Sequence, residues 1–150
     1  NRNVYSDRVR GYRQALEDNG IPYDEKLVII NNLSDQAGTE SAEIIRDMRP
    51  LPDGIFSAND SCAVSCIRQL KLSGISIPRD IAVVGFNNDP HSKVIEPNLT
   101  TVEYPGHEMG EVAASLLIRR LNKTEGTSIN SMVLKHKLVI RESSLRKGNN

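Results

Sequence analysis

The chain has 150 residues, the length of one ordinary domain and enough to bury a core without disulfides or metal. Hydrophobic residues make up 38% and charged residues 25%, a globular composition, while 4% aromatics and no tryptophan argue against a base-stacking platform. Nineteen Lys plus Arg balance nineteen Asp plus Glu, so the basic excess of a nucleic-acid-binding domain is missing, and no apolar run approaches a membrane span.

The chain opens on Asn1, and Arg8–Asn19 already reads as helix, so it is expected to be part of a longer protein and to begin just after a strand. Asp7–Asn19 is the first expected helix: Val9, Tyr12 and Leu16 recur at helical spacing, Gly20 is placed to stop it, and Pro22 prevents continuation. Leu27–Ile30, apolar and β-branched, reads as a buried strand, and Asn31–Gly38 as a polar turn. Thr39–Met48 is the next helix, with Ala42 and Ile45 inward, ended by Pro50, Pro52 and Asp53-Gly54. Ile55–Ala58 reads as a second strand. Asn59-Asp60-Ser61 then forms a capping cluster for a helix over Cys62–Leu72, stopped at Gly74. Ile81–Phe86 is the clearest strand, followed by a loop over Asn87–Asn98 and a short extended segment at Leu99–Val102. Pro105 suits the first turn of an apolar helix over His107–Leu121. Met132–Arg141 reads as one or two closing strands, and Arg146–Asn150 as a tail. Strands alternating with helices imply crossover units, hence an α/β fold around a parallel sheet.

In such sheets ligands bind beyond the carboxyl ends of the strands. The segments expected there are Asn31–Asp35, Asn59-Asp60-Ser61 and Asn87-Asn88-Asp89, and Asp7-Arg8 reaches the same edge from the first helix. Short amide and carboxylate groups with one guanidinium suit a polar, polyhydroxylated small molecule. Each of these residues also has a plain role as turn former or helix cap. Catalytic signals are poor. His91, His107 and His136 lie far apart, no nucleophile elbow, P-loop or glycine-rich dinucleotide turn occurs, and Asp60 is better placed to cap a helix than to accept a phosphoryl group. Cys62 and Cys66, four apart on a helix, read as small buried residues in a reducing compartment, with no metal or cofactor expected. Asn122-Lys123-Thr124 matches a glycosylation sequon, which carries little meaning without secretion.

Five motifs resemble the effector-binding region of LacI/GalR transcriptional regulators, in that family's order and spacing. They are Arg8–Tyr12 with Ala15-Leu16 and Gly20-Ile21, Ile55–Asp60, Pro78–Asn88, Leu99–Val102 with Pro105, Gly110 and Ala113-Ala114, and Leu138–Ser143. The resemblance implies a parallel-sheet sandwich of the type I periplasmic-binding-protein-like fold, mostly its distal subdomain. Residues 3–98 and 131–145 would form that subdomain, 99–125 would belong to a proximal subdomain otherwise absent, and 146–150 would be a tail. It further implies a cytoplasmic, non-enzymatic, homodimeric regulator that senses a small polar effector, a sugar or sugar derivative, with operator DNA bound through a head piece outside this chain. Arg8, Leu33, Asn59 and Asn87 fall at the family's ligand-contacting positions. Two of them depart from the usual pattern. Asn87 replaces a hydroxyl-accepting aspartate, and Leu33 replaces an aromatic that packs on the ligand. The helix ending at Leu121 is expected to lack a partner for its apolar face, and the Ser61–Leu72 helix with the 87–98 loop to form dimer surface. A periplasmic sugar-binding protein for transport or chemotaxis shares the fold and is the rival reading; an enzyme on a flavodoxin-like scaffold is disfavoured because no catalytic set assembles.

Overall fold

A computed structural model describes residues 3–122 and 132–146. The elements run α1 (Asn3–Asp18), α2 (Asp35–Asp47), β1 (Gly54–Phe56), α3 (Asp60–Leu72), β2 (Ala82–Phe86), β3 (Thr100–Glu103), α4 (Gly106–Leu121) and β4 (Lys137–Val139). Short 3-10 turns lie at Glu25–Leu27 and Pro90–Lys93. The sheet order is β1-β2-β3-β4. The first three strands are parallel, with Ile55 opposite Val83 and Gly85 opposite Thr101, and β4 closes the edge antiparallel, Val102 opposite Leu138. The parallel sheet expected from the alternation of elements is therefore present, with one antiparallel edge strand.

The core lies between this sheet and the α2–α3 pair. Ile67, Leu70, Ile81, Val83 and Leu99 are fully buried, with Ala42, Ile45, Ala63 and Cys66 packed among them. Burying each large aliphatic is worth about 1.5–3 kcal/mol. The two helices approach closely because Gly38 faces α3: a Cβ there would strike the Cys62 carbonyl oxygen. The expected stops at Gly20 and Gly74 hold, both with positive φ, and the next amide reaches back to the Leu16 and Leu70 carbonyls respectively.

Several boundaries differ from the sequence reading. Helix α1 starts at Asn3 rather than Asp7, since nothing in Val4-Tyr5-Ser6 opposes helix. Helix α2 starts at Asp35, not Thr39: the Ser34 hydroxyl caps the Ala37 amide at 3.2 Å, and the polar Asp35-Gln36 pair with Gly38 reads as loop although Ala37 and Gly38 are buried. The strand expected at Leu27–Ile30 is not formed. Asp24 caps a 3-10 turn over Glu25–Leu27, and Val28–Ile30 runs on without a ladder partner among the described residues. A strand exists through its neighbour, and here Val28–Ile30 and β1 instead border a common cavity of about 480 Å³. Of Met132–Arg141, only Lys137–Val139 joins the sheet. The Lys123-Thr124 part of the sequon, Ser131 and residues 147–150 lie outside the described residues.

Helix α4 buries no residue; Met109, Leu117, Ile118 and Leu121 are 49–72% exposed. It departs from the lobe after β3, and the chain returns through β4.

Candidate functional site

Because β1 and β2 are parallel, their carboxyl ends, Phe56 and Phe86, open on one edge. After β1 the Ser57 amide still donates to the Val84 carbonyl at 2.8 Å, and the chain then turns into α3. Asn59 makes that turn: its Oδ1 accepts from the Ser61 and Cys62 amides at 2.8 and 3.3 Å. Its amide nitrogen donates to no other described residue. Asp60, expected as a cap, is instead fully buried against the sheet. Its carboxylate accepts from the Thr101 hydroxyl at 2.7 Å and from the Asp89 amide at 2.8 Å. Gly85 makes room for it, since a Cβ there would strike Asp60 Oδ1.

After β2, Asn87 and Asn88 both take positive φ, 123° and 59°. The Asn87 amide donates to the Val102 carbonyl at 2.9 Å, and the Asn88 amide to the Thr101 hydroxyl at 3.2 Å. The backbone at Asn87 is strained for any residue other than glycine, and these contacts hold it there.

Arg8 links the two strand ends. Its Nη1 donates to the Ala58 carbonyl just past β1, and its guanidinium lies 3.8 Å from the centroid of the Phe86 ring. Tyr5 offers a second ring at 5.3 Å, and His136 stands edge-on to Phe86 at 5.8 Å. Partial burial lowers the Arg8 pKa while Tyr5 and Tyr104 oppose the shift; arginine remains cationic throughout the useful pH range. A partly desolvated guanidinium over an aromatic face is a preorganised donor fork.

Arg8 and Leu33 line the cavity beside β1, whereas Asn59 and Asn87 do not. Most of its wall is apolar, including Val9, Ile29, Ile45, Met48 and Ile55, and polar groups, among them Ser6, Arg8, Asn31, Ser41 and Ser57, are the minority. A polyhydroxylated molecule deep inside would leave hydroxyls unpaired. The edge carrying Arg8, Ala58, Asn59 and Asn87 is the part suited to one. Leu33, on the cavity wall, takes a left-handed turn, φ 60°, held by its amide donating to Asn31 Oδ1 at 2.8 Å. Sequence reasoning missed Phe86, Tyr5, Tyr104 and His136. Phe86 carried a usable signal: it ends the clearest strand, immediately before Asn87.

No catalytic constellation assembles among the described residues. His91 lies 3.4 Å from the Ser61 hydroxyl, His107 3.6 Å from Glu111, and His136 against Phe86. No group of three His, Cys, Asp or Glu among the described residues could hold a metal. Cys62 and Cys66 are buried thiols. Burial, with Cys62 nearby, pushes Cys66 up to about 12, and burial also raises Cys62. No described helix is long and apolar enough to cross a membrane.

In a lobe of mainly parallel strands the carboxyl edge is where ligands bind when the fold carries a site, and sequence comparison gives the family. Residues 1–144 match the periplasmic binding protein-like domain, and the chain belongs to that family. It is 34% identical over 145 residues to the HTH-type transcriptional regulator RegA of Clostridium saccharobutylicum, covering 97% of this chain and 43% of that protein. It is 35% identical over 137 residues to the regulator CelR of Thermobifida fusca, covering 91% of this chain and 40% of the relative. The chain thus spans about two fifths of the length of these curated relatives. Among solved structures, the CelR–cellobiose complex superposes with a TM-score of 0.86 at 33% identity, covering 93% of this chain and 42% of that one. A LacI family regulator from Enterococcus faecium with bound ribose gives 0.82 at 30% identity, covering 95% and 52%. The fold is therefore the periplasmic-binding-protein-like core of LacI-type regulators.

Proposed function

We propose that this chain is the effector-binding part of a LacI/GalR-type transcriptional regulator that senses a small polar molecule, a sugar or sugar derivative, and thereby controls operator binding. The observation that carries this reading is the Arg8 guanidinium, fixed by the Ala58 carbonyl and stacked on Phe86 at the carboxyl edge of the sheet. Arg8, Leu33, Asn59 and Asn87 are the proposed ligand contacts. Arg8 would donate to ring or hydroxyl oxygens and Leu33 would supply an apolar wall. Asn59, whose Oδ1 is taken by the Ser61 and Cys62 amides, would offer its amide nitrogen as a donor, and Asn87 would offer a donor and an acceptor. The relatives' names support regulation, and the cellobiose and ribose complexes support a sugar-class effector. In this reading the protein is not an enzyme, works in the cytoplasm, pairs as a homodimer and touches DNA through a head piece outside this chain.

The domain division is part of the proposal. The distal lobe comprises 3–98 and 131–145. The segment 99–125 would lead into a second lobe: its first residues still belong to this sheet, with Leu99 in the core and Thr100–Glu103 a strand, and the remainder would lie in that lobe. Helix α4, with its exposed apolar residues, would pack in that second lobe.

The test is a thermal-shift screen of the full-length protein against cellobiose, ribose, sucrose, sugar phosphates and nucleobases. A ligand at a hundred times its Kd adds about 2.7 kcal/mol of stability. A sugar-class hit supports the reading. A folded protein that no member of the panel stabilises contradicts it.

A further inference from the structure

Arg141 makes an arrangement that the ligand edge alone does not explain. It follows β4 and is half-buried, yet it pairs with no carboxylate among the described residues. Its guanidinium serves three neutral acceptors spread along the connection between β2 and β3. Nη1 donates to the Leu99 carbonyl at 2.7 Å and to the Ser92 hydroxyl at 3.1 Å, and Nη2 donates to Asn88 Oδ1 at 2.6 Å. Its backbone is pinned as well, since its amide donates to the Thr100 hydroxyl at 2.8 Å. A planar fork of donors can bridge such points; a lysine, with one nitrogen, cannot span them.

Asn88 is where this clamp meets the site. Its side chain is used at both ends, accepting from Arg141 and donating to Glu103 Oε1 at 3.0 Å. It holds a left-handed backbone, φ 59°, immediately after the strained Asn87. Positions of this kind persist only where surrounding contacts over-determine them. Asn88 therefore ties the loop after β2 to β3 through Glu103 and to the segment after β4 through Arg141. Those two strands carry the chain out to α4 and back.

We propose that Arg141, acting through Asn88, is a positioning residue for the effector: it holds Asn87 in the conformation that presents it at the carboxyl edge and joins that edge to the strands leading to α4. The proposal rests on the sensor reading for the identity of the edge. Arg141 itself does not touch the ligand.

The test uses the full-length protein with Arg141→Met, Arg141→Lys and Asn88→Gly. Glycine accepts φ 59° without strain, so Asn88→Gly removes the clamp while leaving the backbone free to keep its path. The first readout needs no ligand: amide hydrogen exchange, which reports local opening. The Asn87, Asn88 and Asp89 amides are all hydrogen-bonded in the clamped loop. Exchange there is expected to quicken about tenfold in all three variants, while Val83–Gly85 in β2 stays within about twofold of wild type. Unchanged exchange at 87–89, or an equal rise across β2, overturns the proposal; the latter marks Arg141 as a general anchor of the fold.

The second readout is calorimetric titration with cellobiose, ribose and sucrose. Affinity is expected to fall about tenfold, or 1.4 kcal/mol, in Arg141→Met and Asn88→Gly, with no further loss in the double variant. Faster loop exchange with unaltered affinity overturns the positioning role. A wild-type protein that binds none of the three sugars counts against the sensor reading instead, and the exchange result still decides whether Arg141 holds Asn87.

Discussion

Replacing Asp60 by alanine tests the buried polar link between α3, β3 and the loop after β2. The carboxylate is fully buried and accepts two hydrogen bonds, from the Thr101 hydroxyl at 2.7 Å and the Asp89 amide at 2.8 Å. A hydrogen bond to a charged group contributes about 1.5–3 kcal/mol, and the alanine leaves the buried Thr101 hydroxyl and the half-buried Asp89 amide without this acceptor. The expected loss is about 3–5 kcal/mol, which at about 2–4 °C per kcal/mol lowers Tm by about 10 °C. Thr101→Val removes one donor from the carboxylate and is expected to cost about 2 kcal/mol. The double variant should cost less than the sum, by 1 kcal/mol or about that, because Asp60→Ala no longer orphans a hydroxyl. Urea unfolding of the full-length protein and its three variants measures all of these quantities. A loss below about 1 kcal/mol for Asp60→Ala, or strict additivity in the double variant, would falsify the reasoning.

Glycine substitutions should split by sign. Gly38→Ala gains helix propensity, about 1 kcal/mol, but drives a methyl into the Cys62 carbonyl and the Ser65 Cβ, so net destabilisation of about 1–3 kcal/mol is expected. Gly11→Ala, on α1 with nothing within 4 Å of the added carbon, should stabilise by up to about 1 kcal/mol; thermal melts compare the two. Cys66 gives a pH dependence. Its pKa is raised from 9.0 to about 12 by burial, so the folded state keeps a proton that the unfolded chain releases. The stability it contributes is complete below about 9 and is lost as pH climbs from there toward about 12. Urea midpoints should fall across that window, and less steeply in Cys66→Ala. If α4 packs in a second lobe, Leu117→Asp should destabilise the full-length protein by about 2–3 kcal/mol although Leu117 is 59% exposed in this lobe; an unchanged melt argues that the face stays in water.

The elements legible in the sequence were those whose signals are local. The Gly20 and Gly74 stops, the inward Ala42 and Ile45 of α2 and the apolar run of β2 all need only neighbouring residues to be read. Leu27–Ile30 shows the opposite case: the run has a strand's composition, but a strand requires a partner across a ladder, and composition cannot supply one. The start of α2 was hidden because the polar Asp35-Gln36 pair and Gly38 resemble a turn, and only Ser34 marks it. At the site, Arg8 and Asn87 were readable by position and by resemblance to a known pattern. Phe86 was marked only by ending the clearest strand, and an aromatic there looks like core until the chain is folded and a guanidinium is found over it. The Asp60 and Arg141 networks join residues more than 40 positions apart, and no spacing rule reaches that far.

The central claim is that Arg8 anchors a polar effector at the carboxyl edge of the sheet. Calorimetric titration of the full-length protein with the sugar giving the largest thermal shift, for wild type and for Arg8→Ala, tests it most directly. Losing a charge-assisted hydrogen bond should weaken binding by about tenfold or more. Equal affinity in the two proteins contradicts the account, because the ligand would then be held without the guanidinium on which the site is built.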